Sequence, residues 1–181
     1  MDYRVIYEPL AREAARLCGV DEYIFLALIT RESSWNPNVI SGDGATGICQ
    51  IMPWAHPGVN PKNPEQSLTY CAQLIRNYLD QHKHDYRWAL AAYNVGGPTV
   101  ASWTSVPQWE LDRYILPILN LADVYRKAEE TPVATLVPAL EVSSTVTIST
   151  ATPPSPYVVT PTPTPPVLLF GAIFLALLLR K

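Results

Sequence analysis

The chain has 181 residues and a formal net charge of −3, room for one ordinary domain and some extra segments. It has no Lys/Arg stripe, and since affinity for nucleic acid comes largely from cations on phosphates, no such partner is expected. Charge is also unevenly placed: between Thr131 and Leu179 only Glu141 is charged, which makes residues 1–130 the globular candidate.

That first part reads as mostly helical. The opening MDYRVIYEPLAREAARL is charged where the apolar core of a secretory signal would lie, so it is read as a helix, Tyr3 to Cys18. Gly19 suits a left-handed cap at its end. Asp21 can cap a second helix, Glu22 to about Glu32. Residues 36–63 are rich in Pro, Gly and Asn without a sustained period, which predicts a long ordered loop with at most a short hairpin.

Asn63-Pro64-Glu65 is a helix start, and Leu68, Cys71, Ala72, Ile75, Tyr78 and Leu79 follow at three-four spacing to about His82. Asp85 caps YRWALAAYN, which is apolar nearly all round and is expected to be central. The Gly96-Gly97-Pro98 run breaks it. A last helix is expected from about Glu110 to Lys127, kinked at Pro117.

Beyond residue 130 the composition changes. Residues 131–166 are Pro/Thr-rich and read as a disordered, semi-rigid spacer of extended segments. Within it EVSSTVTIST is too short for a β-rich domain with its own core. Residues 167–181 begin with the apolar run VLLFGAIFLALLL and end on Arg180-Lys181. As a helix this run would reach roughly 20 Å against a hydrocarbon core of about 30 Å. Its place after a spacer favours a short C-terminal hydrophobic helix, acting as a membrane anchor or sorting tail, over a core helix. The basic end favours a cytoplasmic C-terminus and a domain held outside the cytoplasm, in the cell envelope.

Cys18, Cys49 and Cys71 are odd in number, lie among apolar neighbours and have no C-x-x-C spacing, so buried free thiols are expected. The H-x-H of QHKHD, His82 and His84, lacks an acid or thiol cluster and reads as a solvated helix end. No metal and no cofactor are expected.

Glu32 is the residue with chemistry in it. It shares a helix face with Phe25, Leu28 and Ile29 and so closes an apolar stripe in the last helical turn. Desolvation and the helix dipole both disfavour the anion there, and a carboxyl with a raised pKa is what a general acid near neutral pH requires. The alternative is an ordinary helix-terminal Glu paired with Arg31 or Arg76. The loop that follows tilts the choice. Gly42, Gly44 and Gly47 permit close approach of a ligand. Ser41 and Gln50 can hydrogen-bond a polyhydroxylated one, and Trp35 and Met52 offer apolar contact.

Glu32-Ser33-x-Trp35-Asn36-Pro37, then Ser41, then Gly44-Ala45-x-Gly47-Ile48-x-Gln50-Ile51-Met52-Pro53 resembles the catalytic segment of the soluble lytic transglycosylase (SLT) family. Ala92-Tyr93-Asn94-x-Gly96 resembles its A-Y-N-A-G motif, and Glu110-x-x-x-Tyr114 the end of its E-T-x-x-Y-V motif. The match spans about Ala11 to Arg126. Ile48-Cys49 stands where the family has Leu-Met, and Val95 replaces an Ala.

The resemblance implies a mainly α, lysozyme-like domain with a long cleft-lining loop. It implies cleavage of the β-1,4 bond between MurNAc and GlcNAc in peptidoglycan strands. Carried over by position, Glu32 is the catalytic acid/base, and Ser41, Gln50, Met52, Tyr93, Asn94 and Tyr114 line the site. Glycosidases commonly use two carboxylates, whereas these motifs offer one. A single acid suffices if the sugar supplies its own nucleophile and closes a 1,6-anhydro ring, with Tyr93 bonding Glu32 or the N-acetyl group. Two alternatives stand beside this. One is hydrolysis, as in goose-type lysozymes, with Asp43 as second acid; the other is a non-catalytic wall-binding module.

Overall fold

A computed structural model describes residues 1–131; the expected spacer and apolar tail lie outside the described residues. Five longer helices and two short ones carry the fold. Helix α1 spans Tyr3–Cys18, α2 Glu22–Ser33, α3 Pro64–Gln81 and α4 Tyr86–Val95. The short α5 (Gly97–Ala101) and α6 (Gln108–Glu110) lead through a π-helical turn, Leu111–Ile115, into α7, Leu116–Glu130. Among the described residues β-structure is limited to two isolated bridges, Ile40–Thr46 and Thr46–Ile51, so the domain is mainly α.

The ends are set by local chemistry. Asp2, Asp21, Asn63 and Asp85 each accept a hydrogen bond from a first-turn backbone N–H of the following helix. Gly19 closes α1 at φ 64° and returns its N–H to Ala15 and Arg16. α1 runs through Pro9 without a break; the carbonyl that the proline leaves without a helical donor belongs to Val5, whose residue is exposed to water.

α2 is the helix most enclosed by its neighbours. Ile24, Phe25, Leu26, Ala27, Leu28 and Ile29 are all buried in succession, because α2 lies against both α1 and α7. The central role expected of α4 is therefore shared: its Ala89–Ala92 stretch is buried, while Tyr86, Trp88 and Tyr93 are half-buried at the edge of the core. α3 packs between α1 and α4, and α4 also meets the π turn. Polar links fasten the outer edge. Arg126 bonds Asp21 at 2.9 Å, Tyr23 donates to Glu129 at 3.0 Å, and Arg12 pairs with both Glu8 and Glu129.

The last helix departs from the sequence expectation. Gly97–Ala101 forms a separate short helix, and the disturbance at Pro117 appears as the π turn just ahead of it. Proline has no N–H and its ring crowds the carbonyl four residues back, which disfavours an α-turn there. The extra residue of the π turn absorbs this, with Leu116 N–H reaching back to Leu111.

Candidate active site

Glu32 is the next-to-last residue of α2, which Ser34 caps in the left-handed region. Its neighbour Ser33 is buried and donates to the carbonyl of Ile48 at 2.7 Å, tying the helix end to the following loop. Ser34 and Trp35 have φ of 49° and 70°, unusual for residues with side chains. Trp35 is held there by burial and by its indole N–H, which donates to Thr30 Oγ1 at 2.8 Å. It is thus a core residue fixing the turn, not the apolar ligand contact expected of it.

The loop folds over itself. Ser41 N–H bonds Ala45 O, Gly44 N–H bonds Ser41 O, and Ser41 Oγ accepts from Ala45 N–H at 3.0 Å. Gly47, at φ 80°, gives its N–H to Val39 O at 2.8 Å; a Cβ there would lie 1.9 Å from the carbonyl oxygen of Pro61. Gln50 Nε2 donates to Val39 O and Gly47 O, so its amide nitrogen is used within the loop. Ile48, Cys49 and Ile51 form the buried underside, while Met52 is half-buried. Trp54, two residues on, is 78% exposed.

The carboxyl of Glu32 accepts a hydrogen bond from the Tyr114 hydroxyl, which the π turn delivers. Burial pushes the Glu32 pKa from 4.5 up to about 7, and the Tyr114 hydrogen bond and the Arg31 charge only partly offset it. An acid that is half-protonated near neutral pH can both give and take a proton.

Tyr93 does not hydrogen-bond Glu32. Its hydroxyl donates to the carbonyl of Cys49 at 2.6 Å and lies 3.2 Å from the Cys71 thiol, and it is Tyr114 that bonds Glu32. Cys49 and Cys71 are buried free thiols, and Cys18 is a partly exposed one. Asn94 is exposed and donates from Nδ2 to both oxygens of Glu110, at 2.9 and 3.2 Å. Asp43 is exposed at the loop tip.

Two residues that were not expected to line the site belong to this group. Glu110 is 1% exposed, and burial raises its pKa against the lowering effect of Asn94. Arg31 Nη2 donates to Arg113 O at 2.9 Å, so it reaches the π turn instead of pairing with Glu32. Glu110 was visible as part of a motif, and Arg31 only as a possible ion-pair partner of Glu32. His82 stacks on Trp88 at 5.5 Å between centroids, and among the described residues no group of His, Cys, Asp and Glu is placed to hold a metal.

A mainly helical domain with one partly buried acid at a helix end, under a glycine-shaped loop and against a tyrosine, is the class of molecule these features define. The chain belongs to the transglycosylase SLT domain family, whose model matches residues 9–116. Over 115 residues it is 32% identical to membrane-bound lytic murein transglycosylase C of Serratia proteamaculans, covering 52% of this chain and 32% of that protein. It is 35% identical over 88 residues to a transglycosylase of Enterobacteria phage PRD1, covering 47% of this chain and 32% of that one.

The chain thus spans about a third of the length of these curated relatives. Its fold resembles the 70 kDa soluble lytic transglycosylase of Escherichia coli, with TM-score 0.60 and 24% identity over 68% of this chain and 24% of that one. A 70-kDa soluble lytic transglycosylase in complex with bulgecin A gives TM-score 0.61 at 23% identity, over 71% of this chain and 25% of that one.

Proposed function

We propose that this protein is a peptidoglycan lytic transglycosylase that cleaves the MurNAc-β-1,4-GlcNAc bond and leaves a 1,6-anhydroMurNAc end. The observation that carries the reading is Glu32: a carboxyl with a pKa of about 7, bonded by Tyr114 at the foot of the loop. Protonated Glu32 gives its hydrogen to the bridging oxygen as the bond from MurNAc C1 breaks. The N-acetyl oxygen bonds C1 in its place. Glu32, now a carboxylate, takes the proton of the C6 hydroxyl, whose oxygen displaces the N-acetyl oxygen and closes the anhydro ring. The acid returns to its starting state and no water is consumed.

Supporting residues follow from position. Tyr114 orients the acid and stabilises its anion. The backbone of the Ser41–Met52 loop, with Ser41 Oγ and Gln50 Oε1, forms one wall, and Asn94 and Tyr93 the other. The exposed Trp54 and Trp109 offer flat faces for sugar rings. The Pro/Thr-rich residues 131–166 and the apolar residues 167–181 act as spacer and anchor that hold the domain at the envelope; deleting 167–181 and fractionating cells tests this.

Mass spectrometry of peptidoglycan digested by wild type and Glu32→Gln decides the reaction. Anhydro ends from the wild type, lighter by one water, and none from the variant support it. Reducing ends alone would replace it with hydrolysis, for which Asp43 is the second acid to mutate. Full biological effect of Glu32→Gln would replace catalysis with wall binding.

A further inference from the structure

Two neighbouring residues of α2 bond to two neighbouring residues of the π turn. Arg31 donates to the carbonyl of Arg113, and Tyr114 donates to the carboxyl of Glu32. The first link falls where Pro117 withdraws a helical donor. In an α-turn the Arg113 carbonyl would receive the N–H of residue 117, and proline has none. The carbonyl is left for an outside donor, and Arg31 supplies it at 2.9 Å.

Resting on the reading of Glu32 as the acid, we infer that Arg31 is a positioning residue. By occupying the carbonyl that Pro117 leaves open, it locks the π turn in the register that brings Tyr114 to Glu32. Arg31 touches neither the sugar nor the reacting atoms in this scheme; it acts through Tyr114. The charge-preserving variant Pro117→Ala separates this from a plain charge effect. Arg31 lies beside Glu32 in sequence and favours its anion, as does the Tyr114 hydroxyl. From the other packed elements, Tyr93 of α4 and Cys71 of α3 feel the charge of Glu32, and Tyr114 feels that of Glu110. None of these can close the Arg113 carbonyl in place of Arg31.

Four versions of the full chain test it: wild type, Arg31→Met, Arg31→Lys and Pro117→Ala. Two readouts are taken, the kcat and KM for anhydro-product release and the pH titration of the Glu32 side-chain carbon by NMR. Arg31→Met is expected to lower kcat at least roughly tenfold with KM little changed. Its Glu32 titrates at a higher pH than in the wild type. Arg31→Lys keeps a donor of similar reach and restores most of both. Pro117→Ala is the deciding variant, since it keeps every charge and gives Arg113 a helical partner.

The π turn then relaxes toward α-helix, Arg31 is released, and both readouts change as in Arg31→Met without loss of thermal stability. Wild-type kcat and an unmoved Glu32 titration in Pro117→Ala would overturn the inference, as would an unmoved titration in Arg31→Met. If the wild type itself releases no anhydro product, the proposed function fails, and the NMR arm alone still decides whether Arg31 and Pro117 set the state of Glu32.

Discussion

Glu32→Gln should make the protein more stable at pH 8 while it removes activity. Burial raises the pKa of Glu32 from 4.5 to about 7, so the folded chain holds this proton more tightly than the unfolded chain does. Below pH 4.5 the carboxyl is protonated in both states and costs nothing. As pH rises from 4.5 through about 7 the unfolded chain releases the proton first, and that part of the stability is lost. Each pKa unit corresponds to about 1.36 kcal/mol, which makes the loss up to about 3 kcal/mol at pH 8. Glutamine never ionises, and its amide oxygen can still accept from Tyr114.

Urea unfolding of the full chain at pH 4 and pH 8 measures the difference. With a slope of about 2 kcal/mol per molar urea, the midpoint of Glu32→Gln should exceed that of the wild type by about 1.5 M at pH 8. At pH 4 the two should nearly coincide. A difference that is the same at both pH values, or a variant less stable at pH 8, would refute the account of Glu32 as a desolvated acid.

The two tyrosines should separate cleanly. Tyr114→Phe removes a hydrogen bond that favours the Glu32 anion, so the pH at which activity falls on the alkaline side should rise, with a lower kcat. Tyr93→Phe leaves the Cys49 carbonyl without its donor and should cost about 1–2 kcal/mol in a thermal or urea melt, with the alkaline limb unmoved. Gly47→Ala combines a left-handed φ with a Cβ clash against Pro61, so the loop must deform. A loss of more than about 2 kcal/mol and of most activity is expected; a stable, active variant would mean that the Gly47–Pro61 contact does not shape the site.

The helices were legible because their signals are local. Asp21, Asn63 and Asp85 cap the helices they were read as starting, and Gly19 ends α1 in the left-handed conformation assigned to it. Glu32 was legible as a perturbed acid because its place on the α2 stripe and at the helix end can be counted from the sequence. What failed depended on tertiary partners. Trp35 pointed toward a ligand on composition alone, yet its indole finds Thr30 in the core. Tyr93 was read as the partner of Glu32 or of the N-acetyl group, and Tyr114 only as lining the site; that Tyr114 makes the bond to Glu32 rests on a π turn, which no periodicity encodes. Arg31 and Arg113 are 82 positions apart, and their link depends on a missing proline hydrogen that reads in the sequence only as a kink.

The paired thiols behind the site give the loop a clock of its own. Cys49 belongs to the loop and Cys71 to α3, both are closed off from solvent, and the hydroxyl of Tyr93 is held between the Cys49 carbonyl and the Cys71 sulfur. An alkylating reagent can reach either sulfur only while that layer lifts from the helix beneath. Cys18, partly exposed on α1, is within reach of the same reagent without that opening, although burial raises its thiol pKa and slows it. Once the raised thiol pKa of Cys71 is allowed for, the lag of the other two behind it reports how rarely the layer joined by Tyr93 opens, readable in the unlabelled native chain.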